Sequence, residues 1–132
     1  MNKSFLFFLL LQLCFAQSKW IKTFGGDEMD GANHVLKVEE GFLILGYTTS
    51  FGNGGKDLWI IKTDNSRNKV WDKFYGGMNL DYGIKIIKAH DAGYILLGQT
   101  HSFGNGSGDI WLLKIDDLGK IVWQKTYGSE NL

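Results

Sequence analysis

GFLILGYTTSFGNGGKDLWIIKTDNSRNKVW, residues Gly41 to Trp71, recurs as GYILLGQTHSFGNGSGDIWLLKIDDLGKIVW, residues Gly93 to Trp123, displaced by 52 positions throughout. Between Gly41 and Asp57, ten of 17 positions are identical in the two copies, including Gly46, Thr48, Ser50, Phe51 and Asp57. A fixed period near 50 residues marks a repeat architecture, in which each unit buries its apolar face against its neighbours.

Inside each copy the pattern is that of short strands. Phe42 to Thr48 and Tyr94 to Thr100 are near-continuous apolar runs, as expected of strands covered on both faces. Gly46 and Gly98 inside them signal close approach of another backbone. Leu58 to Lys62 and Ile110 to Lys114 predict the next strands. Ala32 to Val38 and Gly83 to Ala89 predict the preceding ones, since helices there would be under two turns and marginal. Polar turns at Asp64 to Asn68 and Asp116 to Lys120 lead to Trp71 to Tyr75 and Trp123 to Tyr127. Gly119 supplies the positive φ such a turn often needs, whereas Arg67 stands there in the first copy and must accept strain or turn differently. Trp20 to Phe24, WIKTF, resembles the WDKFY and WQKTY strands and predicts a third copy of that element.

The expected fold is therefore all-β: antiparallel four-stranded units of about 52 residues, of the size of a β-propeller blade. Two complete blades, 32–75 and 83–127, follow one outer strand at 20–24. With 18 Gly and no Pro, the composition suits strands joined by glycine turns.

Residues 1–16 read as a secretory signal peptide: Lys3, an apolar run from Phe5 to Phe15, and Cys14 and Ala16 before a cut ahead of Gln17. The run falls short of the roughly 20 residues a membrane helix needs. Cleavage places the domain at 17–132, outside the cell or in its envelope, without a cysteine and hence without disulfides. Losing Lys3 leaves 13 basic against 14 acidic side chains, a balance that offers no attraction to nucleic acid.

The run Lys62-x-Asp64 followed by Trp71, its copy Lys114-x-Asp116 followed by Trp123, the segment Ala92 to Gly98 and the SFGNG loops resemble secreted bacterial β-propeller repeat proteins. Ile115 to Trp123, IDDLGKIVW, is similar to the tryptophan-docking motif of quinoprotein-like propellers. The resemblance spans Trp20 to Gly128 and implies an extracellular or cell-envelope protein whose propeller binds or scaffolds. It also implies structural roles for Trp71, Trp123, Gly46, Gly98, Asp64 and Asp116. Propellers close with four to eight blades, so two blades imply further blades in a longer chain or self-association of several copies; an open stack would leave apolar faces in water.

The loops SFGNGGKD and SFGNGSGD should emerge beside GGDEMD (Gly25 to Asp30) and GGMNLD (Gly76 to Asp81) on one face. Asp30 with Asp57, and Asp81 with Asp109, are the candidate ligand or metal residues there. Calcium, which takes several carboxylate and carbonyl oxygens, is the cation such a site would hold. The competing reading is that each aspartate caps its own glycine turn. No cofactor is required by any motif, and no cysteine nucleophile, G-x-S-x-G elbow or phosphate loop is present. His34, His90 and His101 have no metal-ligand spacing. Tryptophans invite a glycan ligand, although core packing explains them as well. The sequence thus points to a non-catalytic binding or scaffolding module with a glycan or protein ligand. The alternative is a part of a carbohydrate-active or quinoprotein-like propeller enzyme.

Overall fold

The computed structural model describes residues 19–130, and the expected signal segment 1–16 lies outside them. Eight strands form: β1 (Asp30–Val38), β2 (Gly41–Thr48), β3 (Asp57–Thr63), β4 (Lys69–Tyr75), β5 (Asp81–Lys88), β6 (Tyr94–Thr100), β7 (Asp109–Ile115) and β8 (Ile121–Tyr127). They make two antiparallel four-stranded sheets, β1-β2-β3-β4 and β5-β6-β7-β8, one per sequence repeat. No helix occurs among the described residues, and none is long and apolar enough to cross a membrane.

Each sheet starts two residues earlier than the sequence pattern suggests, because Asp30 pairs with Thr48, and Asp81 with Thr100, before the apolar alternation begins. Both copies carry the same irregularities, one between Ala32 and His34 or Gly83 and Lys85, the other between Lys62 and Thr63 or Lys114 and Ile115. A shared bulge pattern gives the two sheets the same local bends and so the same faces.

Trp20 to Phe24 departs from expectation: residues 19–26 form no strand. Strands are held by ladder partners, and β4 and β8 take theirs from β3 and β7, which precede them. Residues 20–24 pair with no strand among the described residues.

Arg67 resolves the turn question in favour of strain. Its φ is +67°, against +82° at Gly119, and in both turns the residue donates its N–H to the aspartate carbonyl three positions back at 3.1 Å. Asp64 and Asp116 brace these turns by accepting the N–H groups of Asn68 and Lys120 at 2.9 and 2.8 Å. Lys62 and Lys114 close the opposite end: Lys62 Nζ reaches the Glu40 carbonyl, while Lys114 Nζ reaches the Ala92 carbonyl and the Asp91 carboxylate.

Alternation gives each sheet a leucine face and a tryptophan face. In the first sheet the leucine face carries Leu43, Leu45, Leu58 and Ile60, all buried, and the tryptophan face carries Ile44, Gly46, Trp59 and Ile61. The core lies between the leucine face of the first sheet and the tryptophan face of the second, which presents Leu96, Gly98, Trp111 and Leu113. Leu45 seats over Gly83, where a Cβ would stand 2.5 Å from Leu45 Cγ, and Leu58 Cδ1 would lie 3.1 Å from a Cβ on Gly98. The Tyr75 hydroxyl crosses the gap to donate to the Gly119 carbonyl, and burial followed by the nearby Asp116 charge pushes its pKa well above the ordinary value.

Equivalent residues therefore have opposite fates. Leu58 is 0% exposed and its copy Ile110 is 54% exposed; Ile86 is 0% exposed and its copy Val35 58%. Leu58→Ala should cost about 2–5 kcal/mol, the range for core truncations. Ile110→Ala in dilute protein should cost under about 1 kcal/mol, both read from urea melts. Arg67→Gly should stabilise by about 0.5–1 kcal/mol by releasing the left-handed strain, in the same assay.

Candidate functional site

The loop edge is built from aspartates that open alternate strands. Asp30 begins β1 and ties two loops together. It accepts the Gly26 N–H at 2.8 Å, the Ser50 hydroxyl at 2.8 Å and the Thr48 hydroxyl. Ser50 Oγ in turn accepts the Glu28 N–H at 2.9 Å. Asp81 repeats the arrangement at β5 with the Gly77 N–H at 2.9 Å, the Ser102 hydroxyl at 2.6 Å and the His101 N–H at 3.3 Å. The two classes of loop thus do emerge together, as the repeat predicts.

Asp57 and Asp109 form the second class. Each caps its own SFGNG loop through the N–H of Asn53 or Asn105 at 2.5 Å. Gly52 and Gly104 make this possible with φ of +101° and +88°, and a Cβ on either would overlap the capping carboxylate. Thr48 and Thr100 complete the loops by accepting the N–H groups of Phe51 at 3.2 Å and Phe103 at 3.1 Å. The capping reading of the aspartates is what the hydrogen bonds show.

The expected pairs flank a threonine rather than touching in any hydrogen bond: Asp30 and Asp57 lie on either side of Thr48, and Asp81 and Asp109 on either side of Thr100. Asp57 stands instead beside Asp81, across the junction between the sheets, and a Cβ on Gly76 would run into both carboxylates. At this junction the Asp81 N–H donates to the Lys56 carbonyl at 2.6 Å, and Lys56 Nζ lies 4.1 Å from the Tyr47 ring centre and 5.9 Å from that of Tyr82. Asp57 and Asp109 are 1% and 2% exposed, and the Oδ1 of each is buried without a hydrogen-bond donor. These oxygens face the Cα of Gly76 and Gly128, where only glycine fits. Among the described residues no group of three or more His, Cys, Asp or Glu side chains is placed to hold a metal ion.

The electrostatics differ between the two classes. Burial opposes ionisation of Asp30, but the hydrogen bonds from Thr48, Gly26 and Ser50 outweigh it and hold its pKa at about 2. Burial raises the pKa of Asp57, the Asn53 N–H opposes it, and the charge of Asp81 pushes it further up. A carboxylate short of donors is a poor home for charge, whereas one ringed by donors is a good one.

The aromatic candidates are mostly structural. Trp59 and Trp111 are buried; Trp59 stacks with Phe74 at 6.0 Å, and their indole N–H groups donate to Asp72 at 3.1 Å and Gln124 at 2.9 Å. Trp71 is half-buried against Gly119, and Trp123, its copy, is exposed. Gly46 and Gly98 admit the backbone of β1 and β5. The pairing of Asp57 with Asp81 was not legible in the sequence, where they lie 24 positions apart in different repeats; the matching glycines at Gly76 and Gly128 were the available signal. No protein-family model and no curated protein matches this chain.

Two outcomes separate the classes of aspartate. Asp30→Asn should destabilise by about 1–2 kcal/mol at pH 7, because the charge-assisted acceptor of several donors is lost. Folded Asp30 titrates below its unfolded value of about 3.9, so its contribution is full above that value and disappears as pH falls towards about 2. The gap between wild type and Asp30→Asn should shrink across that window. Asp57→Asn should cost less than Asp30→Asn at pH 7, since it removes a buried charge beside Asp81 while a side-chain oxygen still accepts the Asn53 N–H. Urea melts between pH 2 and 7 read both.

Proposed function

We propose that this chain is a secreted β-propeller-type repeat module that binds or scaffolds and carries no catalysis of its own. The observation that supports this reading is the equivalence of the two repeats at their loop edge. Asp30 and Asp81 are each engaged by backbone N–H groups and a serine hydroxyl of the loops, and Asp57 and Asp109 each by one backbone N–H of its own loop. An active site needs a group poised on substrate and different from its copies; these are occupied in folding.

Support also comes from the two four-stranded sheets packing face to face, the leucine face of one on the tryptophan face of the other, a stacking that blades around an axis could use. The resemblance to secreted propeller repeat proteins agrees with the apolar N-terminal run. Exported protein should begin at Gln17, which mass spectrometry of the mature chain reads directly.

The blade reading is tested by a tandem chain carrying three copies of residues 30–132. A propeller closes on itself, giving a monomer with one cooperative melt and no binding of an apolar-surface dye. A linear stack of sheets would keep both end faces open, bind the dye and overturn the propeller reading. Turnover of a glycoside by the mature protein that disappears in Asp81→Asn would overturn the non-catalytic one.

A further inference from the structure

No second sheet packs on the tryptophan face of the first sheet or on the leucine face of the second, and these are copies of the two surfaces that pack together inside the chain. Val35, open at 58%, corresponds to Ile86, which is fully buried at the internal junction. Ile110 corresponds to buried Leu58, and Tyr127, at 53%, to Tyr75, at 8%. A face that meets a different face in a fixed order makes a heterologous contact, and such contacts repeat from molecule to molecule.

Residues 20–24 mark how the open face is used. Trp20, Lys22 and Phe24 border a cavity of about 540 Å³ over the tryptophan face, with Val35, Ile44 and Trp59 on its floor. Trp20 lies 4.6 Å from the Arg67 guanidinium, as Trp71 lies against Gly119 at the internal junction. The segment thus occupies the place that β4 holds over the second sheet, and the cavity beside it is the place of β1, β2 and β3. It has no ladder hydrogen bonds, and Trp20 and Ile21 are exposed. β8 has the same Trp-x-Lys-x-aromatic face and is paired with β7 along its length.

We propose that a second copy of this chain docks head-to-tail on the tryptophan face of the first sheet, using the leucine face of its second sheet, with its β8 displacing residues 20–24. This inference deepens the blade reading and rests on it. The docked contact keeps the apolar part of the internal junction and loses some of its polar part. Inside the chain, Asn33 Nδ2 donates to the Gly83 carbonyl at 2.6 Å and His34 Nδ1 accepts the Ile86 N–H at 3.3 Å. The incoming copy has Ile84 and Lys85 at those places, and it meets Ala32 where the internal junction has Gly83. Association between copies is therefore weaker than the packing within one, and three substitutions would restore the match.

Light scattering of the mature chain across a concentration series tests this, with circular dichroism melts to establish that each variant folds. Wild type should rise above monomer mass with concentration. Val35→Lys and Ile110→Lys, both at exposed positions, should each shift the midpoint upward at least tenfold. Mixed together they should give a two-chain complex and nothing larger, since each retains one intact face. Trp20→Ala should lower the midpoint several-fold, and the triple variant Ala32→Gly, Ile84→Asn, Lys85→His at least tenfold. Monomer mass for wild type, Trp20→Ala and the triple variant alike would overturn the proposal, as would association unchanged by both lysine variants or their failure to pair. If the natural chain stays monomeric while the tandem chain closes, docking between copies fails and the blade reading stands. Head-to-tail association with a tandem chain that does not close gives the reverse.

Discussion

The packing of one sheet's leucines on the next sheet's glycines and tryptophan is the interaction on which everything else depends. Leu45 over Gly83 and Leu58 over Gly98 bring the sheets close enough for Tyr75 to reach the Gly119 carbonyl and for Asn33 to reach that of Gly83. Each of these four-stranded sheets is apolar on both faces and has no interior of its own. The second sheet covers one face of the first. The first sheet does the same for one face of the second, so each repeat completes its neighbour and neither completes itself.

The loop edge follows from that contact. Stacking sets β5 beside β1, β2 and β3 and puts the start of β5 next to the start of β3, so Asp81 arrives beside Asp57 with Gly76 between them. The two carboxylates then have different characters although both open a strand. Asp81 is ringed by donors from Gly77, His101 and Ser102, whereas Asp57 has the Asn53 N–H on one oxygen and a glycine Cα against the other. Close approach of a Cα–H offsets little of the desolvation of an oxygen, which is why burial raises the pKa of Asp57. The glycines of this edge serve carboxylate packing as much as chain reversal.

Most of the strands were legible because their residues repeat at 51 or 52 positions and alternate within each repeat. Asp64 and Asp116 were readable as turn formers, and Gly46 and Gly98 as points of backbone approach, from local chemistry alone. Trp20 to Phe24 misled for a physical reason: its pattern is that of β4 and β8, but a pattern supplies no ladder partner. The aspartates misled differently. Pairing the aspartates within each repeat, Asp30 with Asp57, ignores that a carboxylate at the edge of one sheet faces the edge of the next.

By itself the sequence determined the all-β repeat, the strand order within each unit, and the turns, since ladder pairing, alternation and left-handed glycine positions are local properties encoded within about 50 residues. Only the tertiary structure decided which of two equivalent residues is buried. Leu58 and Ile110, or Ile86 and Val35, hold the same place in the repeat, and nothing in the local pattern distinguishes them. Their difference comes from the direction of stacking, which covers the leucine face of one sheet and the tryptophan face of the other. Burial is a property of the neighbour, and the neighbour is set by the arrangement of the whole chain.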